Sequence, residues 1–345
     1  MTLMEKEAHN TFEGIEKQLN EYPVILEKLI NYIKDRDIKF VLTIGRGSSD
    51  NACLYAKYLF ETLLGLPVSS ASPSIISIYK SRLNLKNALI IGVSQSGMST
   101  DICEYIEYAT KNGGITVSFL NKTASPLSER SLFTVPVFAG IEKSVAATKS
   151  FITSSFALAY FAAMLSGHKS LIERSKLLPE TLKNIVDLAI NDNFVKTFKY
   201  IDDTIVIGRG YSFPFALEAA LKLKETSLIH AEGYSSAELL HGPIAIAKEN
   251  YPFIIFCNKD QSYDSIIDVI KKINKTKSKV FLISNANIDK PVKANIYINL
   301  NNSIHPILDP LLIMQYFYLL AAHISIEKGL NPDKPGNIFK VTKTI

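Results

Sequence analysis

The chain has 345 residues, 47% hydrophobic and 21% charged, with a formal net charge of +5; this excludes a disordered or collagen-like chain and leaves length for two cored domains. The lysines are spread without a basic run, which argues against nucleic acid, while mild positive charge favours a small anionic partner. Cys53, Cys103 and Cys257 share no close spacing and the opening Met1-Thr2-Leu3-Met4-Glu5-Lys6-Glu7 lacks an apolar core, so we expect no disulfide framework, metal cluster or signal peptide, and a cytoplasmic setting.

Residues 3–34 read as amphipathic helix and carry no catalytic signature. The first strand is Phe40-Val41-Leu42-Thr43-Ile44, which ends in Gly45-Arg46-Gly47-Ser48-Ser49 before a helical pattern. A second apolar run, Ala88-Leu89-Ile90-Ile91-Gly92-Val93, reads as a buried strand and leads into Ser94-Gln95-Ser96-Gly97-Met98-Ser99. Helical periodicity resumes at Thr100, with Asp101 in the first turn. Hydroxyls, an amide and a glycine thus fall where a strand ends and a helix begins. Free backbone N–H groups and the positive end of the helix dipole converge on an anion at such a place. Ser94, Ser96 and Ser99 can each donate to a phosphate oxygen, and Gly97 lets the backbone approach closely. With no Walker lysine, the pattern points to a phosphorylated small molecule rather than a nucleoside triphosphate. The competing reading is a serine-rich turn that only caps a helix.

Further strands are expected at Ile115–Leu120 and 133–138, then an apolar helix over 151–165 and a polar helical connector over 170–199 punctuated by Pro179. The first motif then has an echo, Thr204-Ile205-Val206-Ile207-Gly208-Arg209-Gly210-Tyr211-Ser212, followed by strands at Pro252–Cys257, Lys279–Ser284 and 295–300. The apolar stretches 151–165 and 311–324 are short and carry Thr, Ser, Gln or His, so they read as buried helices rather than membrane spans. Strands alternating with helices predict an α/β protein of two stacked domains related by an internal repeat, each a parallel sheet flanked by helices. The expected divisions are a helical segment over 1–35, a phosphate-binding domain over 36–169, the connector 170–199, a catalytic domain over 200–330 and a tail over 331–345. The copies are not equivalent. Where the first has Val93-Ser94-Gln95-Ser96-Gly97, the second has Phe256-Cys257-Asn258-Lys259-Asp260, so only the first is expected to grip phosphate, at the carboxyl ends of its strands.

Pro214 opens a helix at a position where proline is tolerated, and Glu218, Lys222 and Glu225 follow on one face of it. Charge statistics alone read this trio as a solvated ion-pair ladder. His230 alone reads as a satisfied core histidine, whereas His241, before Gly242-Pro243, falls in a turn, where reactive groups are often displayed.

Lys222-Leu223-Lys224-Glu225, His230-Ala231-Glu232, His241-Gly242-Pro243, Ser94-Gln95-Ser96-Gly97 and Gly47-Ser48-Ser49 together resemble the double sugar-isomerase (SIS) domain family over essentially the whole chain. The resemblance is to the isomerase half of glucosamine-6-phosphate synthase. The segment Ser144-Val145-Ala146-Ala147-Thr148-Lys149-Ser150-Phe151 and the ending Asn331-Pro332-Asp333 with Lys340-Val341-Thr342 resemble the SIS-type glucosamine-6-phosphate deaminase best. Ala139-Gly140-Ile141-Glu142 departs from the pattern, with Ile141 where relatives usually have proline. The resemblance implies that Ser94, Gln95, Ser96 and Ser99 hold the sugar phosphate and that Ser48 and Ser49 contact it or the sugar hydroxyls. It implies Glu225 as the acid/base carboxylate, Lys222 as its companion, His241 as the ring-opening histidine and Lys340 as a Schiff-base lysine. It also implies a homodimer with a shared active site and no cofactor. Without it, Lys340 reads as a solvated tail lysine, with Lys343 and Lys149 as rivals.

The chain enters the isomerase pattern at once and offers no place for a glutamine-splitting cysteine, so the expected activity is conversion of D-glucosamine 6-phosphate and water to D-fructose 6-phosphate and ammonia. The alternatives are another sugar-phosphate isomerase, a galactosamine-6-phosphate deaminase, a fructosamine-6-phosphate deglycase, or a sugar-phosphate sensor without turnover.

Overall fold

The computed structural model describes residues 1–338 and 340. Among these described residues ten strands form two five-stranded, fully parallel sheets. In chain order they are β1 (Phe40–Ile44), β2 (Val68–Ser70), β3 (Ala88–Ser94), β4 (Ile115–Leu120), β5 (Phe133–Pro136), β6 (Asp203–Gly208), β7 (His230–Ser235), β8 (Pro252–Cys257), β9 (Lys279–Ser284) and β10 (Ile296–Asn299). The first sheet runs β2-β1-β3-β4-β5 and the second β10-β9-β8-β6-β7, the same winding written twice. In both, the chain reverses its direction of travel across the sheet at the pair β1/β3 or β6/β8. A crevice opens beyond the strand ends at such a switch point.

The described residues fall into two compact units that are not contiguous in sequence. The first-sheet unit comprises Thr11–Glu142, Lys149–Lys176 and Lys340; the second-sheet unit comprises Met1–Asn10, Lys143–Thr148 and Leu177–Ile338. The break inside the first helical segment falls between the helices Leu3–His9 and Thr11–Lys34. Specific bonds account for it. Thr2 and Glu5 close a capping box at the first helix, Asp333 accepts from the backbone N–H groups of Leu3 and Met4 at 2.9 and 2.8 Å, and Glu7 accepts from those of Lys143 and Ser144. The polar stretch after residue 168 forms three helices, Lys169–Ser175, Leu178–Val186 and Asp192–Phe198, and Pro179 sits in the first turn of the second.

In the first-sheet unit every residue of β3 and β4 is buried, as expected of strands covered on both faces. One face packs Leu42, Ile44, Ile90 and Leu120 under Ile102, Cys103 and Ile106 of the helix Thr100–Lys111. On the other, Phe161 of the helix Lys149–Ser166 stands 5.8 Å from Phe60 and 5.7 Å from Phe119, ring centre to ring centre. In the second-sheet unit Ile205, Ile207, Phe253, Ile255 and Leu282 pack against Ile266, Ile267 and Ile270 of the helix Tyr263–Lys275. The opposite face meets the helices Phe213–Ser227 and Asp309–Glu327, with Phe256 edge-on to Phe317 at 5.6 Å. Asp309–Glu327 is long and apolar enough to cross a membrane, but 89% of its most apolar window is buried in the protein, so the core accounts for its composition.

Two strands are not foreshadowed by an apolar run. β2 is a three-residue edge strand, and β7 has the sequence His-Ala-Glu-Gly-Tyr-Ser. In β7 Gly233 lies so close to the helix Phe213–Ser227 that a Cβ there would stand 2.8 Å from the Cα of Leu217. Helix contact and edge pairing to β6 form this strand, not β propensity.

Candidate active site

In the first-sheet unit, pairing of Ile44 with Gly92 brings the ends of β1 and β3 side by side. The loop carrying Ser48 and Ser49 and the loop 94–99 therefore lie on one sheet edge, at the switch point. Ser48 begins the helix Ser48–Leu64, and both serines are half-buried. Arg46 spans from the first loop to the carboxylate of Asp101, which is buried in the first turn of the helix Thr100–Lys111. That ion pair fixes the β1 loop against the N-terminus of the helix, a link the Gly-Arg-Gly echo did not disclose.

The 94–99 loop is held from within. The Ser94 hydroxyl accepts from the Gly97 N–H at 3.0 Å, and the Ser96 hydroxyl from the Met98 N–H at 3.3 Å. Gly97 has φ +65°, and a Cβ there would stand 2.2 Å from the Ser125 hydroxyl. Ser99 occupies the N-cap position, yet its side chain makes no capping hydrogen bond. In the first turn that follows, the Ile102 N–H donates to the Asp101 carboxylate at 2.9 Å, so the serine-rich turn and this carboxylate meet at the helix N-terminus.

Gly97→Ala tests the loop. Left-handed backbone costs a non-glycine residue about 1–2 kcal/mol, and the new methyl group has no room beside Ser125. We expect affinity for inorganic phosphate, read by calorimetry, to fall by roughly tenfold, the equivalent of about 1.4 kcal/mol. Unchanged phosphate affinity would remove the loop as the anion site.

The corresponding turn of the second-sheet unit bonds within itself. Asp260 accepts from the N–H and hydroxyl of Ser262 at 2.7 and 2.6 Å, just before the helix Tyr263–Lys275, and Asn258 donates to Ser212 at 2.8 Å. Where the first copy has hydroxyls this turn carries a carboxylate, whose charge repels an anion.

The second-sheet unit instead offers a charged trio on the helix Phe213–Ser227. The Lys222 ammonium lies 3.5 Å from Glu218 and in contact with Glu225. Glu218 and Lys222 are fully buried, and Glu225 keeps 24% of its side chain exposed. The solvated ladder expected from charge statistics is therefore corrected: the helix turns this face into the protein, between β7 and the helix Asp309–Glu327, where Tyr318 donates to Glu218 at 3.3 Å. Charges so placed must be paired, because each costs several kcal/mol to desolvate.

His230, which alone read as a core histidine, is also corrected. It begins edge strand β7 and is exposed, 3.2 Å from Asp203. His241 follows the short helix Ser236–Leu240 and is exposed in a turn, with Gly242 at φ +147°. Lys340 is not a solvated tail lysine: it pairs at 2.8 Å with the buried carboxylate of Glu142 in the first-sheet unit. Lys149 is buried, its Nζ 3.9 Å from the position a Cβ on Gly140 would take, and Lys343 lies outside the described residues. Burial raises the thiol pKa values of Cys53 and Cys103 and pushes that of Cys257 up to about 12, so none supplies a thiolate at neutral pH. Among the described residues no cluster of His, Cys, Asp and Glu is arranged to hold a metal ion.

The SIS domain model matches residues 36–164 and again 202–322. The chain belongs to the SIS domain family. Its SIS domains are similar in sequence to glutamine–fructose-6-phosphate aminotransferase (isomerizing) of Wigglesworthia glossinidia brevipalpis, 33% identical over 93% of this chain and 53% of that protein. This chain thus spans about half the length of such relatives. Among solved structures it is similar to a candidate phosphosugar isomerase from Silicibacter pomeroyi DSS-3, with 34% identity, TM-score 0.89, and coverage of 96% of this chain and 100% of that one. It is also similar to the C-terminal domain of the glucosamine-fructose-6-phosphate aminotransferase of Francisella tularensis, with 25% identity, TM-score 0.87, and coverage of 97% and 98%.

Sequence reasoning missed three contributors: Glu142, the Arg46–Asp101 pair and Ser125. Each acts by packing or pairing with a residue distant in sequence, and none carries a local signature. The echo of Gly-Arg-Gly after β1 and β6 was the one available pointer to Arg46.

Proposed function

We propose that this SIS-domain protein is a glucosamine-6-phosphate deaminase, which converts D-glucosamine 6-phosphate and water to D-fructose 6-phosphate and ammonia. One observation carries the reading: of the two carboxylates that bracket buried Lys222, only Glu225 reaches solvent. That is the arrangement an acid/base carboxylate needs, with one oxygen fixed by a cation and access left for a ligand. The relatives act, by name, on fructose 6-phosphate with amino transfer and isomerisation, which supports an amino-sugar phosphate here.

Ser94, Gln95, Ser96 and Ser99 bind the phosphoryl group, with Ser48 and Ser49 beside them on the same edge. This grip lies remote from the reacting carbons and serves orientation. His241 moves a proton between the ring oxygen and the hydroxyl as the sugar opens; we assign it to the active site of the partner in a homodimer. Glu225 takes the proton from carbon 2 and returns it to carbon 1, while Lys222 offsets charge on the enolate oxygen. The nitrogen on carbon 2 is then an imine. Either water or the Lys340 amine adds to it and ammonia leaves; in the second case water releases the ketose from Lys340. No cofactor enters these steps, and the setting we assign is cytoplasmic.

The test is ammonia release by the purified protein from glucosamine, galactosamine and fructosamine 6-phosphates side by side. Release fastest from glucosamine 6-phosphate is the expected result. Faster release from either other sugar reassigns the substrate, and no release from any, with fructose 6-phosphate still bound, overturns the deaminase reading in favour of an isomerase of unaminated sugar phosphates or, where no aldose forms either, a sensor.

A further inference from the structure

Glu142 is an acidic side chain with no exposed surface, on the segment that follows β5. Its carboxylate accepts from the backbone N–H of Ser150 at 3.1 Å and from the Ser150 hydroxyl at 2.8 Å, in the first turn of the helix Lys149–Ser166. The helix N-terminus and two donors stabilise the charge there. The Lys340 ammonium completes the group at 2.8 Å, and that side chain keeps 26% of its surface exposed. The carboxylate is therefore sealed while the amine it holds stays open to a ligand.

The place of this pair in the sheet also matters. The corner after β4 bonds in two directions: the Lys122 N–H donates to the Gln95 carbonyl at 3.2 Å, and the Asn121 amide donates to the Gly140 carbonyl at 2.8 Å. Gln95 belongs to the phosphate loop and Gly140 stands two residues before Glu142. One hydrogen-bonded corner thus ties the phosphate loop and the Glu142 segment to the same sheet edge.

We infer that Glu142 is the positioning residue for Lys340, a buried carboxylate that fixes the amine where the keto carbon of a bound sugar phosphate can reach it. The inference rests on the Schiff-base role proposed for Lys340. Glu142 itself touches no substrate. In Schiff-base formation Lys340 passes one proton to solvent, its amine adds to the carbonyl carbon, a proton returns to the carbinolamine hydroxyl, and water leaves as the carbon–nitrogen double bond forms.

Glu142→Gln keeps the shape and an acceptor for the Ser150 N–H while removing the charge. Two measurements in the full-length protein move in opposite directions if the inference holds. Acetylation of Lys340 by acetic anhydride, read by mass spectrometry against exposed Lys86, rises by roughly tenfold when a charge-assisted bond is lost. The adduct trapped on Lys340 by borohydride with fructose 6-phosphate falls by a similar factor, with KM unchanged, because the phosphate loop is untouched. A general loss of fold would also raise acetylation and lower the adduct, but it would expose fully buried Lys222 to the reagent as well, so Lys222 left unmodified in the variant marks an intact fold. Acetylation that does not change overturns the clamp, and an adduct undiminished in the variant overturns the positioning role. No adduct in the wild-type protein removes the Schiff-base reading and the role that depends on it, while acetylation still reports whether Glu142 holds the amine.

Discussion

Replacing Glu225 with Gln is expected to lower kcat by about 10³-fold, the middle of the range for removing a general acid/base, while leaving KM within about twofold. That factor corresponds to about 4 kcal/mol of transition-state stabilisation. The substitution is nearly isosteric and the residue is partly exposed, so the fold should tolerate it; buried Glu218 remains 3.5 Å from Lys222 as its counter-ion. Gln accepts a hydrogen bond from Lys222 but cannot carry a proton between two carbons. Steady-state ammonia release gives kcat, and protection by fructose 6-phosphate in thermal unfolding shows that binding persists. Full activity in the variant would mean that another group moves the proton. Loss of binding together with activity would give Glu225 a structural role instead.

The sequence disclosed the architecture because parallel strands covered on both faces are written as unbroken apolar runs. Ile115–Leu120, Pro252–Cys257 and Lys279–Ser284 have the expected limits. The 94–99 loop was legible for a related reason: a hydroxyl-rich turn between an apolar strand and a helical period has a local signature. The charged trio was visible but misjudged. Spacing tells which residues of a helix share a face, and nothing in Glu218-x-x-x-Lys222 says whether that face meets water or the helix Asp309–Glu327. Glu142 was hidden more deeply. Its meaning depends on Lys340, which lies 198 positions away. An ion pair between such distant residues leaves no period, cap or turn to read.

The same trio yields the largest expected effect on stability. Lys222→Ala removes the cation from beside the fully buried Glu218 carboxylate and opens a cavity the length of a lysine stem. Breaking a buried pair from one side costs about 3–5 kcal/mol. At roughly 2–4 °C per kcal/mol for a unit of this size, the unfolding midpoint should fall by about 10 °C. The informative companion is Glu218→Gln with Lys222→Met. It removes both buried charges, refills the stem volume and keeps an acceptor for the Tyr318 hydroxyl, which bonds Glu218 at 3.3 Å. Replacing a whole buried pair is often neutral or stabilising, so the double variant should recover most of the lost midpoint. On the proposed mechanism it should not recover turnover, because Glu225 has lost the ammonium that contacts it and that is assigned to neutralise the enolate. A double variant that is stable and inactive places these charges in the site for chemistry. One as unstable as the single variant would show that the charges hold the helix Phe213–Ser227 in place, and a stable, active one would remove Lys222 from the mechanism.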